Sequence, residues 1–183
     1  MNGKNGKVRQ IVRTGVLIAL LVALQWLTAP TSTFAGQYVT GTCVNCVLFV
    51  GTLLCGLYSG VIIAVLSPFC AFLLGIGPQL LQIVPAIALG NLALVLCIHF
   101  LLGREQAALQ QKIIGTVIAA FTKLAVLYIA VNMVLIPVMG PALSEKQVAT
   151  FMAMFSWPQM VTALLGGIVA QLILPLLKKV IKK

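Results

Sequence analysis

Lys123 is the residue of this 183-residue sequence whose type and position most clearly demand a chemical explanation. It lies near the middle of an apolar stretch over residues 113–137. A cation within hydrocarbon costs several kcal/mol unless it is paired, hydrated or able to reach the interface. The two acids, Glu105 and Glu145, both lie in predicted loops. We therefore expect Lys123 either to face a polar cavity and an anionic or strongly accepting ligand, or to bond helix-end carbonyls or a partner subunit.

Catalytic groups are sparse elsewhere in the chain. Cys43 and Cys46 have a spacing that can bind metal or support redox chemistry, but no second ligand pair accompanies them. His99 is the only histidine, and no carboxylate lies in an apolar stretch. A hydrolase needs a nucleophile with a base, paired aspartates or metal ligands. The sequence therefore predicts neither an enzyme nor a proton-driven carrier, and no cofactor or metal; the cysteines are read as small buried residues.

The composition places these residues in a membrane. Apolar residues make up 61% of the chain and charged residues 8%, with a mean hydropathy of +1.14. Soluble domains carry about 25% charged residues. Soluble enzymes, DNA-binding domains and disordered chains are thereby excluded. The net charge of +10 comes from cations that flank the apolar stretches, which indicates membrane topology and not a nucleic-acid partner.

Six apolar segments set the predicted fold, an all-α integral membrane protein with a single membrane domain over residues 1–183. A helix needs about 20 residues to cross the hydrocarbon. The positive-inside rule then predicts cytoplasmic N- and C-termini. Gly56 and Gly60 are expected to mark a tight turn between two short spans, and residues 147–156 to form a short interfacial helix. The predicted spans cover residues 11–29, 42–57, 58–75, 79–102, 113–137 and 158–177.

Other features suggest contact surfaces. The connection over residues 30–41 is polar and long enough to fold over a ligand. Trp157 could anchor the chain at the membrane interface or stack on a flat ligand. Gly15, Ala19 and Ala23 recur every four residues and would form a smooth face on the first helix. Such a face admits close helix packing, either within the chain or with another membrane protein.

The Ala19-Leu-Leu-Val-Ala23 motif, with six short spans, resembles the substrate-binding S components of energy-coupling factor (ECF) vitamin transporters. The segments 66–78, 87–91 and 157–170 look like the third-to-fourth and sixth helix regions of that family. The resemblance implies a bacterial plasma-membrane protein that captures a vitamin from outside with high affinity. It also implies a transmembrane coupling subunit, docked on the face of Gly15, Ala19 and Ala23, and two cytoplasmic ATPases whose ATP hydrolysis topples the S component to release substrate inside.

The same resemblance implies where the ligand is bound. In this family the ligand lies near the outer side, between the first outer connection, which corresponds here to residues 30–41, and helices four to six. A neutral or anionic vitamin suits Lys123, and a ring suits Trp157 and Tyr38, whereas a thiamine-like cation would lack an acid. The open alternatives are a non-transport assembly or structural subunit and a solitary secondary transporter. The implied substrate-binding residues are Gln37, Tyr38, Gln82, Asn91, Lys123, Trp157 and Gln159.

Overall fold

The computed structural model describes residues 2–28, 34–103 and 108–181, and within these ranges it is helical, without a strand. The all-helical architecture is therefore confirmed. A π-helical segment, Tyr128–Leu135, follows α5, and a short 3-10 turn, Gly140–Ala142, follows α6. The α-helices are α1 (Asn2–Thr28), α2 (Phe34–Cys55), α3 (Leu57–Leu73), α4 (Ile83–Leu102), α5 (Leu109–Leu127), α6 (Ile136–Met139), α7 (Glu145–Met154) and α8 (Trp157–Ile181).

Several of these helices are suited to crossing a membrane. Within the described ranges, five helical stretches are long and apolar enough, and the shorter α3 is apolar over 17 residues. At 1.5 Å per residue, α3 is about 26 Å long. That length is close to the roughly 30 Å of a hydrocarbon core. The described ranges thus hold five or six helices suited to spanning, in agreement with a multi-pass membrane protein.

The bundle is organised around α2, which packs against α8, α1, α3 and α4, while α5 packs against α4 and α8. Large apolar side chains without solvent exposure fill its centre, among them Leu48, Phe49 and Ile63. A second apolar cluster, which includes Leu127, lies beneath α7. Membrane proteins gain little from the hydrophobic effect between helices, so close packing of this kind carries their stability.

Two glycines that were expected in a connection and in a turn, Gly41 and Gly60, lie instead inside α2 and α3. α2 begins at Phe34, so most of the predicted connection over residues 30–41 is helical; residues 30–33 lie outside the described ranges. Gly41, read as a loop residue, instead faces α8, because a Cβ there would lie 2.9 Å from Thr162 Cγ2. Gly60 is buried inside α3, where a Cβ would meet Val95 at 2.9 Å. Gly56 alone, with a φ of 92°, makes the turn.

The predicted fifth span, residues 113–137, is not one regular α-helix. It begins earlier, at Leu109, and changes to π-helix at Tyr128. The Ile136 N–H donates to Val131 O, five residues earlier, and the next residue, Pro137, has no N–H to continue the ladder. The wider π turn changes the angular position of every later side chain. Positions on either side of Tyr128 are therefore not related by the geometry of a straight α-helix.

The remaining elements follow the expectations more closely. The fourth span begins at Ile83 instead of residue 79, after a turn in which Gly75 and Gly77 have φ of 72° and 80°. These angles favour glycine because it lacks a Cβ. The predicted short helix is confirmed as α7, and the hydroxyl of Ser144 caps its start by accepting from the Gln147 N–H.

We expect Gly166→Ala to lower the stability of the detergent-solubilised protein by about 1–3 kcal/mol, because overpacking forces backbone shifts. A Cβ at residue 166 would lie 2.7 Å from Cys46 N and 2.8 Å from Thr42 O, which are backbone atoms of α2. Gly15→Ala is the matched control, since a Cβ at residue 15 has nothing within 4 Å. Thermal unfolding should separate the two variants; equal melting temperatures would contradict the assigned α2–α8 contact.

Candidate ligand-binding cavity

A cavity of about 910 Å³ opens at one end of the bundle. It is lined by the end of α1, the first half of α2, the end of α3 with the turn that follows it, the first half of α4, α5 at Lys123, α7 and the start of α8. The α2–α3 turn lies at the opposite end, where the Gln10 Nε2 donates to Cys55 O over 2.9 Å. The cavity is therefore remote from the start of α1 and the end of α8. Its polar lining includes Gln25, Gln37, Asn45, Ser67, Asn91, Lys123, Gln159 and Thr162.

The Lys123 ammonium is held on the wall of this cavity by two side-chain amides. Its Nζ donates to Asn45 Oδ1 over 2.6 Å and to Asn91 Oδ1 over 2.8 Å. The lysine side chain is only 3% exposed, and both asparagines are buried. Neutral amide oxygens satisfy two donors of the ammonium but do not cancel its charge. Three helices, α2, α4 and α5, thus meet at one uncompensated cation.

Further hydrogen bonds fix both amides with their oxygens toward Lys123. The Asn45 Nδ2 donates to Thr162 Oγ1 on α8 over 3.2 Å, and the Asn91 Nδ2 donates to Ala64 O over a longer 3.5 Å. Ala64 O is available because Pro68, four residues later in α3, has no N–H to donate to it. A proline in one helix therefore helps to orient an amide on a second helix, and that amide binds a lysine on a third.

Two other buried polar atoms on the cavity wall have no hydrogen-bond partner within the described ranges. They are Gln25 Oε1, on a residue 5% exposed, and Ser67 Oγ, on a residue 1% exposed. Buried polar groups are nearly always hydrogen-bonded, because leaving one unpaired costs about 1–3 kcal/mol. Both atoms could therefore bond to water or to a ligand in the cavity.

Helix α7 lies beside the cavity and is tied down at its C-terminal end. Gln37 Nε2 from α2 and Gln159 Nε2 from α8 both donate to Met154 O, over 3.1 and 3.0 Å. Asn132 Nδ2 from the π-helical segment donates to Phe155 O over 3.3 Å. The last carbonyls of a helix have no partner within it, so these amides satisfy them. The connection over residues 30–41 was expected to fold over the ligand. In the described ranges it is α7 that covers this side of the cavity.

The predicted binding residues separate into two groups. Gln37, Asn91, Lys123 and Gln159 line the cavity together. The other three do not line it: Gln82 is exposed just before α4, and the rings of Tyr38 and Trp157 pair with centroids 6.0 Å apart. Trp157 lies on a separate, apolar cavity of about 450 Å³.

Sequence reasoning missed several polar residues of the cavity. Asn45 was overlooked because it lies between two cysteines in an apolar span, and Gln25 and Ser67 because each is flanked by apolar residues in its helix. The available signal was the same in each case as for Lys123: a polar side chain within a span requires a partner.

The small residues of α1 face away from the bundle. Gly15, Ala19 and Ala23 are all exposed. This face was expected to pack either within the chain or against another membrane protein, and in the described residues it does not pack within the chain. The first helix therefore presents an open strip onto which a second helix could pack closely.

The cysteines show no assembled metal or redox site in the described ranges. Cys43, Cys46, Cys55, Cys70 and Cys97 are free and half-buried. In the same ranges, no three His, Cys, Asp or Glu side chains cluster as metal ligands.

Comparison with known proteins identifies a matching family model. The family model described as "ECF transporter, substrate-specific component" matches residues 9–178, which is nearly the whole chain. Neither the curated proteins nor the solved structures yield a match.

We expect a strong energetic coupling between Asn45 and Lys123. Asn45→Ala should destabilise the protein by about 1–3 kcal/mol, because it removes an acceptor from a buried cation. The cost should be smaller when Lys123→Met is also present, since no cation then remains. Urea or thermal unfolding of the four proteins of this cycle gives the coupling energy. Asn132→Ala is the control: its amide donates to Phe155 O and makes no bond to Lys123, so its cost should be equal in both backgrounds.

Proposed function

The chain belongs to the family of ECF transporter substrate-specific components, and on that premise we propose that it captures a vitamin or related micronutrient for import. The ligand, neutral or anionic, would enter the cavity from outside the cell. The subunit would then deliver it in a complex with a transmembrane coupling subunit and two cytoplasmic ATPases. The observation that carries this proposal is the 910 Å³ cavity, with the Lys123 site on its wall, in a chain matched by this family along most of its length.

The size and lining of the cavity suit a small organic molecule. Ligand sites commonly measure about 300–1,000 Å³ and combine apolar walls with a few placed polar groups. Here apolar side chains such as Phe72, Ile87 and Phe155 accompany the amides and the lysine. Recognition would therefore combine apolar contact with a small number of directed hydrogen bonds.

The distribution of cations supports an outward-facing cavity. Lys7, Arg9 and Arg13 are on the first half of α1, and Lys178 and Lys179 are at the end of α8, remote from the cavity. Loops rich in Lys and Arg stay in the cytoplasm. By this rule both chain ends are cytoplasmic, and the cavity faces the outside of a bacterial plasma membrane.

The open strip on α1 supports docking onto a coupling subunit. Gly15, Ala19 and Ala23 are exposed and spaced four apart, so a partner helix could approach the backbone. The docking role of the strip is a proposal that follows from family membership. Ligand capture and partner docking would then occupy different parts of the chain, which allows each to be tested alone.

We expect mass spectrometry of small molecules released by denaturing the purified protein to find a stoichiometric vitamin-like compound. Ala149→Trp should abolish it, because this exposed residue of α7 lines the cavity and the indole would occupy its space. Met152→Trp is the matched control, on an exposed α7 position outside the lining. Equal ligand content in both variants would place the ligand elsewhere. A folded protein that neither releases a compound nor binds any vitamin in a thermal-shift screen would favour the assembly-subunit alternative.

We expect Ala19→Trp to reduce recovery of the coupling subunit and ATPases by tenfold or more when the complex is purified through this chain. The bulky indole would prevent close helix approach, while ligand content should be unchanged because Ala19 is remote from the cavity lining. Val169→Trp is the control, because Val169 is also exposed but lies on α8. Equal recovery with both variants would exclude the α1 strip as the docking face.

A further inference from the structure

We infer that the captured ligand is a small organic acid whose carboxylate binds Lys123 on the cavity wall. This inference rests on the proposed function and narrows its substrate class. It is drawn from the charges, the hydrogen-bond inventory and the unpartnered polar atoms of the cavity, each of which restricts the ligand in a different way.

The charges of the cavity have one sign. Lys123 and Lys146 are its charged lining residues in the described ranges, and no Asp or Glu joins them there. Lys123 is buried, whereas Lys146 is exposed on α7. A buried cation whose partners are all neutral retains a large desolvation cost. An anion brought by the ligand would offset that cost, and a cationic ligand would increase it.

The hydrogen bonds of Lys123 leave a place for such an anion. An ammonium group has three N–H donors, and Asn45 and Asn91 accept two of them. The third is available to a ligand, because Lys123 lines the cavity. The two amide oxygens are held in place by bonds to Thr162 and Ala64, so the direction of the remaining donor is set before the ligand arrives. Preorganisation of this kind lowers the cost of binding.

The number of donors matches a carboxylate better than a phosphate. Ser67, on the same cavity wall, has a buried hydroxyl with no partner in the described ranges, and it follows Ala64 by one helical turn. One ammonium N–H and one hydroxyl provide two donors and one positive charge at this depth. A carboxylate has two oxygens and one negative charge. A phosphate monoester carries about 1.5 to 2 negative charges on three oxygens, which this wall would leave partly unsatisfied.

The other polar and apolar groups that line the cavity indicate which further groups the ligand carries. Gln25 Oε1 is a buried acceptor without a partner in the described ranges, so it suits an N–H or O–H of the ligand. Phe72, Ile87 and Phe155 offer apolar contact between the polar groups. The ligand is thus an acid with an apolar body and a second, hydrogen-bond-donating group.

The test compares acids with their uncharged counterparts on the wild-type protein, by thermal shift and by equilibrium binding. The pairs are pantothenate and pantothenol, in which the amide N–H and hydroxyls supply the second donor, and nicotinate and nicotinamide and lipoate and lipoamide, whose acids carry the carboxylate alone. Riboflavin 5′-phosphate, which has no carboxylate, is the phosphate probe. Riboflavin and thiamine represent neutral and cationic vitamins. We expect at least one acid to bind, and its uncharged counterpart and any phosphate ester to bind tenfold more weakly or worse.

Lys123→Gln should abolish the preference for the acid, whereas Lys146→Gln, at an exposed position, should retain most of it. If Lys123→Gln fails to fold, the wild-type pairs decide the question without it. Binding only of neutral or cationic compounds, or tighter binding of a counterpart than of its acid, overturns the inference and leaves the proposed function intact. Absence of binding across the whole panel, with no compound released on denaturation, contradicts the proposed function and the inference with it.

Discussion

The burial of one cation, Lys123, is the constraint on which the rest of this cavity depends. Its ammonium requires acceptors from elsewhere in the bundle, and it takes them from Asn45 on α2 and Asn91 on α4. Those amides are in turn anchored to α8 and α3. Five helices therefore meet around one charge. A partly satisfied polar network in a low-dielectric interior is costly, and a ligand that completes it would bind strongly for that reason.

Backbone features of α3 and α8 make this arrangement of the lysine and its two amide partners possible. Pro68 frees the Ala64 carbonyl that orients Asn91, and Gly166 allows α8 to approach α2 at Asn45. At the mouth, side-chain amides bind the last carbonyls of α7 and hold this helix beside the cavity. The cavity is the space that these polar side chains and the helix ends enclose.

Much of the fold could be predicted from composition, because 61% apolar residues and flanking cations leave few alternatives to a helical membrane bundle. Lys123 was identified as the central residue for a physical reason, namely that a cation at depth must have partners. The partners themselves were not all predictable. Asn45 became an acceptor through tertiary packing, and Gly36 and Gly41 lie inside α2 although glycine and polar residues at 30–41 indicated a loop.

The angular positions of side chains late in the fifth span could not be predicted from the sequence either, because π-helical turns before Pro137 replace the regular α-helix. Aromatic residues gave a weaker signal than the buried polar ones. Tyr38 and Trp157 were expected at the ligand because rings often stack, yet they pair with each other outside the cavity lining. Burial of a polar group constrains a structure more strongly than the presence of a ring, since an unpaired polar atom has a definite energetic cost.

The most direct test of this account is an experimental structure of the protein purified with its bound compound. The account predicts density for a small molecule within the cavity of about 910 Å³, with a ligand oxygen within hydrogen-bond distance of Lys123 Nζ. Density bound elsewhere on the bundle, or a cavity closed by its own side chains with Lys123 turned away, would contradict it.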